Sequence, residues 1–432
     1  MALEPHWVDP IIDPRHGLEK TNLTLGFVPL TDCAPLVVAL EKGLFAQCGL
    51  DVELSRESSW ASVRDKVAVG LLDGAHLLAG IPLAASLGVG APVMTMVTAL
   101  SLGLNGNAIT VSNALFERMA EVDAGAYRPA TSARALGKMV ANTRASSKPP
   151  RPLTFAMVYP VSTHHYLLRQ WLALGGIDLK EVEIVVVPPP LMVDQLAKGA
   201  IDGFCVGEPW NALAVHRGLG KVVITSYELW NNHPEKVFGV HRAWAERHPH
   251  THQALLVALL QASHWLDDPQ NRQEAVDLLA RGAYVDAPRE VIAASLTGHY
   301  PWSAGEEARA LGDFHVFYRY AATFPWRSHA RLLLAQMRAC GQLKVDVDLD
   351  AVAAQVYRPD LYRQAARCLR LPYPTVDYKP EGINGDSWML AEATSPIAMG
   401  PDRWLGDLAA PAAAPGAVPP RGSVQAPAGP CA

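Results

Sequence analysis

The chain lacks several features that would each assign it to a class of protein. It has no run rich in Lys and Arg, and its 432 residues carry a net charge of −5. Direct nucleic-acid binding is therefore not expected, because phosphate contacts require a basic face. The six cysteines are scattered without a Cys-x-x-Cys pair. This pattern predicts neither a zinc module nor a disulfide framework, and it fits a reducing compartment.

Export and membrane signals are also lacking. The first 22 residues hold four acids and three prolines but no apolar core segment, so we interpret them as an arm and not as a leader. Residues 74–116 carry no charged side chain, yet prolines and glycines interrupt them. Buried strands and turns explain this stretch better than a membrane-spanning helix does. We expect a soluble, cytoplasmic protein with no membrane contact.

Catalytic motifs are missing as well. Glu208 could act as a base, but no nucleophile, phosphate-binding loop or metal triad accompanies it, and we interpret it as a structural residue that tethers a lobe. Residues 248–252 contain three histidines without carboxylates at ligand spacing. The sequence therefore predicts no enzymatic activity, no cofactor and no metal site.

What is present is a repeated alternation of strands and helices. Strands over 23–30 and 50–54 flank a helix over 34–42, a βαβ unit that implies a parallel sheet. A second set of strands and helices spans 153–225, and mostly helical sequence over 241–366 can return to the first sheet. Two such sheets predict a two-lobed α/β fold with a ligand cleft between the lobes.

The predicted boundaries follow from these units. After Trp404 the composition shifts to Ala, Pro and Gly, which is typical of disorder. The predicted parts are an N-terminal arm (1–22), the first part of lobe 1 (23–108), lobe 2 (109–237), a return to lobe 1 with a helical C-terminal part (238–390) and a disordered Ala/Pro-rich tail (391–432).

One turn has the features of a binding cleft. An apolar strand over 204–206 leads into Gly207, where no Cβ blocks the approach of a ligand to the backbone N–H. Trp210 follows and can wall a pocket. Small molecules bind at the carboxyl ends of strands in α/β sheets. An ordinary strand-to-helix turn accounts for these residues equally well.

Several segments together resemble the nitrate/bicarbonate-binding family of substrate-binding proteins. Each is weak alone, but they follow the family's order over roughly residues 23–240, with weaker similarity to about 390. The segments are 27–35 (FVPLTDCAP), 41–45 (EKGLF), 60–65 (WASVRD), 104–109 (LNGNAI), 162–164 (STH), 171–177 (WLALGGI), 207–211 (GEPWN), 229–230 (LW) and 233–236 (HPEK).

The resemblance implies a type 2 periplasmic-binding-protein-like fold that closes on a small planar anion. Nitrate needs one positive charge, several N–H donors and an aromatic wall. By the family pattern, Lys236 supplies the charge, and His164 and Trp60 donate through ring nitrogens. Gly207 donates its backbone N–H and Asn107 its side-chain amide. We associate glutamine with the Asn107 position in transport receptors, so the shorter side chain implies a tighter pocket or a bridging water.

Each of these residues also has an ordinary explanation. Lysines are mostly solvated, a histidine at a helix start is usually a surface or capping residue, and most buried tryptophans belong to the core. Lys236 nevertheless separates two branches of the family. The bicarbonate receptors look to have a carboxylate there that recruits a metal ion, which Lys236 would repel, so nitrate or nitrite is favoured over bicarbonate.

Within the family, the chain is more similar to the cytoplasmic nitrate/nitrite sensors, because the transport receptors carry a leader. For the sensor branch the resemblance implies a partner, an antiterminator protein with an ANTAR-type RNA-binding domain. The unliganded sensor sequesters it, and nitrate or nitrite releases it. The alternative is a substrate-binding receptor of a nitrate or bicarbonate ABC transporter. A pyrimidine-forming enzyme of the same fold would need a Cys-rich or His-rich tract that is not found.

Overall fold

The computed structural model of the chain describes residues 17–144, 151–344 and 346–406. Most of the predicted N-terminal arm, and the predicted tail from residue 407 onward, lie outside these ranges. Two separate sheets, of six and five strands, form the centres of two lobes. The predicted two-lobed α/β architecture is therefore confirmed.

Lobe 1 begins with alternating strands and helices. The βαβ unit predicted near the start is confirmed, because the first strand pairs in parallel with the second and with the third. The charge-free stretch over 74–116 forms strands and a short helix of the interior. The elements are β1 (Asn22–Phe27), α1 (Ala34–Glu41), α2 (Leu44–Gln47), β2 (Asp51–Arg56), α3 (Trp60–Ala68), β3 (Gly74–Leu78), α4 (Ile81–Ser86) and β4 (Met96–Asn105).

Lobe 2 follows without a break after Gly106. Its elements are β5 (Asn107–Ser112), α5 (Asn113–Val122), α6 (Pro129–Arg144), β6 (Leu153–Met157), α7 (Thr163–Leu174), β7 (Val182–Val186), α8 (Met192–Ala197), β8 (Gly203–Gly207), α9 (Trp210–His216), β9 (Gly220–Thr225) and α10 (Ser226–Leu229). The strand order is β7–β6–β8–β5–β9, with β6 parallel to β7 and β8. Strand β5 runs antiparallel to β8 and β9.

The chain then returns to lobe 1. Its next elements are β10 (Pro234–His241), α11 (Arg242–Arg247), α12 (Pro249–Asp267), α13 (Arg272–Leu279), α14 (Arg289–Leu296), β11 (His299–Tyr300), β12 (Arg309–Ala310), β13 (His315–Val316), α15 (Arg327–Ala339), α16 (Leu349–Val356) and α17 (Pro359–Cys368). Strand β10 enters the first sheet antiparallel between β3 and β4, giving the order β13–β4–β10–β3–β1–β2.

Four short strands close the described part of the chain. They are β14 (Ile383–Asn384), β15 (Trp388–Leu390), β16 (Ile397–Met399) and β17 (Asp402–Arg403). The last two lie beyond residue 391, where the sequence predicts the tail to begin. Within the described ranges, no helix combines the length and the hydropathy needed to cross a bilayer.

The chain crosses between the lobes twice, at Gly106 and between Thr225 and Pro234. Both crossings lie at the same side of the two sheets, because β4 and β10 are neighbours in lobe 1 while β5 and β9 are neighbours in lobe 2. The residues that face the space between the lobes therefore come from strand ends and helix starts next to these crossings.

Candidate functional site

Lys236 lies near the start of β10 with its side chain fully buried, unlike an ordinary solvated lysine. Its Nζ lies 2.7 Å from Asp32 Oδ2 and 2.5 Å from Glu235 Oε1. Successive residues of a strand ordinarily point to opposite faces. The register of β10 against β4 is irregular on both sides of Lys236, and a β-bulge of this kind re-aims side chains. The bulge thus explains how the side chains of Glu235 and Lys236, which are adjacent in the strand, contact each other.

Trp60 and His164 lie at the starts of helices that face this ammonium group. Trp60 opens α3, and its ring centre lies 5.5 Å from Lys236 Nζ. His164 is the second residue of α7, and its Nε2 lies 3.6 Å from Glu235 Oε1. Within the described part of the chain, the Trp60 indole nitrogen and both His164 ring nitrogens are buried without a hydrogen-bond partner. They are therefore available to a ligand.

Asn107 and Gly207 face each other across β5 and β8. The Glu208 N–H donates to Gly106 O at 3.0 Å, which makes Asn107 and Gly207 a non-hydrogen-bonded pair. The Gly207 N–H consequently points away from β5. A Cβ on Gly207 would lie 3.3 Å from Asn107 Oδ1 and 3.7 Å from Asp32 Oδ2. A larger residue would therefore crowd these side chains and Leu30, whose Cδ2 would lie 3.2 Å from that Cβ.

All five residues that the family pattern predicts as ligands thus come together between the lobes. The sequence interpretation missed two carboxylates at their centre. Asp32 Oδ1 lies 2.9 Å from His76 Nε2, and Glu235 Oε2 accepts hydrogen bonds from Asn107 Nδ2 at 2.8 Å and from the Thr163 hydroxyl. Both carboxylates lie inside segments that carry the family resemblance. The sequence interpretation assigns these carboxylates no role, because hydrogen-bond donors, and not acceptors, are expected around an anion.

The charges of this cluster follow from its burial. Burial opposes ionisation of Asp32, but Lys236 and His76 outweigh it and hold the pKa of this carboxyl below its usual range. Burial also opposes ionisation of Glu235, but Lys236 and His164 outweigh it and lower the pKa of this carboxyl to about 2. Burial lowers the pKa of Lys236, but the two carboxylates outweigh it and raise that pKa. Burial lowers the pKa of His164 to about 4. Near pH 7 the cluster therefore holds two carboxylates, one ammonium group and neutral imidazoles.

The turn after β8 connects the lobes beside this cluster. The Thr31 N–H donates to Glu208 O at 2.7 Å, and Trp210 Nε1 donates to Pro29 O at 3.2 Å. The Glu208 side chain accepts hydrogen bonds from the Tyr300 hydroxyl and from the Ala212 N–H. Burial raises the pKa of Glu208 to about 7. These contacts agree with the interpretation of Glu208 as a structural residue that ties one lobe to the other.

The site is a buried cluster of one cation, two carboxylates, an aromatic wall and unpartnered ring nitrogens. An enclosed site of this kind orients a small ligand through a few placed polar groups. Among the residues that the structure describes, no group of three or more His, Cys, Asp and Glu side chains is arranged to hold a metal ion.

Known proteins are similar to this chain in sequence and in fold. Residues 16–280 match the NMT1-like family. The chain is 42% identical over 360 residues to the nitrate import ATP-binding protein NrtC of Synechocystis, covering 83% of this chain and 52% of that protein. It is 38% identical over 393 residues to the bicarbonate transport ATP-binding protein CmpC of the same organism, covering 89% and 55%. The chain thus spans about half the length of these two relatives.

A solved structure extends the comparison to the fold. The crystal structure of the periplasmic nitrate-binding protein NrtA from Synechocystis superposes with a TM-score of 0.75 at 32% identity, covering 82% of this chain and 90% of that one. These relatives are named as binding and transport proteins, which fits the prediction that the chain is not an enzyme. The chain therefore belongs to the NMT1-like family and, within it, to the nitrate/bicarbonate-binding, NrtA/CmpA-like group with a periplasmic-binding-protein-like fold.

Proposed function

We propose that the chain is a cytoplasmic nitrate/nitrite sensor that binds the anion between its lobes and controls the release of an RNA-binding antiterminator. The observation that carries the anion site is the buried Lys236 ammonium group with the unpartnered donors of Trp60 and His164 around it. Buried polar groups are normally paired. A flat anion with three acceptor oxygens would pair with these donors.

The charge at residue 236 supports nitrate or nitrite over bicarbonate. A metal ion that carried bicarbonate would have to lie beside the Lys236 ammonium, whose pKa is raised by its two carboxylate neighbours. Two positive charges that lie side by side repel each other strongly in a buried site. The carboxylates Asp32 and Glu235 are already engaged by Lys236 at 2.7 and 2.5 Å.

The relatives support a cytoplasmic location. The chain matches about half of a protein named for nitrate import and for ATP binding. ATP is a cytoplasmic metabolite, so a homologous module joined to an ATP-binding unit would meet its anion in the cytoplasm. A module that meets its anion in the cytoplasm is suited to report the cytoplasmic anion level.

Lobe closure provides the means of control. A ligand shifts an equilibrium only if it binds one arrangement better than the other. Contacts between the lobes, such as the hydrogen bond from Trp210 Nε1 to Pro29 O at 3.2 Å, stabilise the arrangement seen in the structure. Anion at about 100 times its dissociation constant stabilises the bound form by roughly 2.7 kcal/mol. This is enough to displace a partner that requires the lobes to be open.

The partner can be tested by co-purification. We expect the tagged chain from cells grown without nitrate to retain an RNA-binding protein with an ANTAR-type domain, and added nitrate to release it. Chloride at the same ionic strength is the control, because it lacks the planar oxygens. A complex that nitrate and nitrite leave intact would contradict the sensor function while leaving anion binding itself open to direct titration.

A transport receptor is the second candidate, and the similarity to the periplasmic protein NrtA favours it. Cell fractionation separates the two functions. A receptor would be found outside the cytoplasm and would require a permease for its phenotype, whereas a sensor would be found in the cytoplasm with its partner.

A further inference from the structure

A second buried lysine, Lys379, lies outside the cleft in a cluster of the same types of side chain. The Lys379 side chain is 6% exposed, and its Nζ lies 2.6 Å from Glu381 Oε2 and 3.0 Å from Asp402 Oδ2. His329 Nε2 lies 3.4 Å from Glu381 Oε1, and the Trp326 ring centre lies 6.0 Å from Lys379 Nζ. One lysine, two carboxylates, an imidazole and an indole therefore meet again, in a part of the chain that the family match does not reach.

A small cavity lies against this cluster, lined by Lys379, Trp326, His329 and Trp388 among others. Within the described residues, the ring nitrogens of Trp326, His329 and Trp388 are buried without a hydrogen-bond partner. An unmade hydrogen bond at a buried polar group costs about 1–3 kcal/mol. Indole nitrogens can only donate, so the group that would satisfy Trp326 and Trp388 must be an acceptor.

The carboxylates of the cluster are already engaged by other donors. Asp402 Oδ1 accepts from Trp230 Nε1 at 2.6 Å and from the Gly382 N–H at 2.8 Å. Glu381 Oε1 accepts from the Ser328 hydroxyl at 2.7 Å. An ammonium group has three N–H donors, and these two carboxylates account for two of those of Lys379. The third N–H of Lys379 and the indole N–H groups of Trp326 and Trp388 therefore have no acceptor within the cluster, and all three residues line the cavity.

We propose that this cavity is a second anion site, which takes a small monovalent inorganic anion of the size of a halide or nitrite. The cavity is too small for an organic ligand, and a cation would meet Lys379 and the positive edges of the indoles. The proposal does not depend on the function of the cleft, because no residue of the cleft lines this cavity.

The site lies where the C-terminal segment (residues 379–406) crosses the connection between the lobes. Asn232, which lines the cavity, donates from Nδ2 to Pro401 O at 2.8 Å and accepts from Asn105 Nδ2 at 3.1 Å. Trp230 stacks on Trp404 with ring centres 4.1 Å apart. Anion binding at Lys379 would therefore hold the C-terminal segment against both crossings and stabilise the folded chain.

Bromide is the probe, because it is halide-sized and scatters anomalously. We expect crystals of the full chain soaked in bromide to show an anomalous peak in the cavity beside Lys379. In solution, bromide should raise the melting temperature saturably. Trp326→Phe should raise the half-saturating concentration roughly tenfold, because it removes one hydrogen bond to a charged group. The substitution removes no hydrogen bond within the described residues, but Trp326 is a buried core residue, so the melting temperature without bromide should fall. The half-saturating bromide concentration is therefore the quantity compared.

Trp302→Phe is the matched control. Its indole nitrogen is also buried without a partner, but Trp302 does not line the cavity, so the bromide response should stay unchanged. The double variant Lys236→Met/Glu235→Gln should keep the response as well, which separates this site from the cleft. Water or no density in the cavity of the soaked crystals would overturn the proposal. So would a bromide response that is the same in wild type and in Trp326→Phe.

Discussion

Replacing Lys236 with methionine is expected to lower the affinity for nitrate by roughly 30-fold or more. The ammonium group is the cation of the cleft, and losing one partner of a buried charge pair costs about 2–5 kcal/mol. Methionine keeps the length of the side chain but cannot donate. Isothermal titration of nitrate into wild type and variant measures the change.

The single variant also leaves Asp32 and Glu235 without their shared cation. Breaking a buried ion pair in this way destabilises a protein by about 3–5 kcal/mol, so weak binding could simply reflect a damaged fold. Lys236→Met/Glu235→Gln removes one charge of each sign and restores the net charge of the cluster. We expect this double variant to recover part of its melting temperature, since Asp32 still lacks its cation, without recovering nitrate binding. Wild-type affinity in a stable double variant would contradict the role of Lys236.

Nitrate binding is expected to take up a proton. Near pH 7 the cluster itself holds one negative charge in excess, because Asp32 and Glu235 are ionised, Lys236 is protonated and the imidazoles are neutral. A second negative charge in the same buried space favours a proton on His164. The groups that face His164 are Glu235, Lys236, Asp32 and His233, and the added anion raises the pKa of His164 in the complex.

The sign of the pH dependence follows from this shift. The pKa of His164 is about 4 in the free protein and higher in the complex. Affinity is therefore greatest at low pH, and it falls by up to about tenfold per unit between pH 4 and the pKa of the complex. Isothermal titrations in buffers of different ionisation enthalpy would measure the number of protons taken up when nitrate binds. His164→Gln keeps a donor but cannot be protonated there, so its affinity should be nearly flat with pH. An equally steep profile in that variant would assign the proton elsewhere.

The sequence predicted the architecture because the spacing of its strands and helices is regular. The βαβ unit over residues 23–54 follows from hydrophobic pattern and element length. The return to lobe 1 is predicted only for helical sequence after residue 238, and strand β10, which enters the first sheet, is not predicted. Family resemblance then selected five residues that are far apart in the chain, and the structure brings them together. Their role as ligands stays a prediction until binding is measured.

The carboxylates could not be found in the same way. Glu235 and Lys236 are adjacent in a strand, and the rule of alternation sends them to opposite faces. They meet because of an irregular register between β10 and β4, which depends on tertiary packing and leaves no local pattern. The Lys379 cluster was missed for a similar reason. Its members come from residues 326–402, where the sequence analysis identified only helical pattern and a tail.

Isothermal titration of the purified full chain with nitrate, nitrite, bicarbonate and chloride shows whether the cleft binds a small planar anion. We expect saturable binding of nitrate or nitrite with one site in the cleft, beside Lys236, and much weaker binding of bicarbonate and chloride. Absence of binding by both nitrate and nitrite, or a preference for bicarbonate that requires a divalent metal ion, would contradict this expectation.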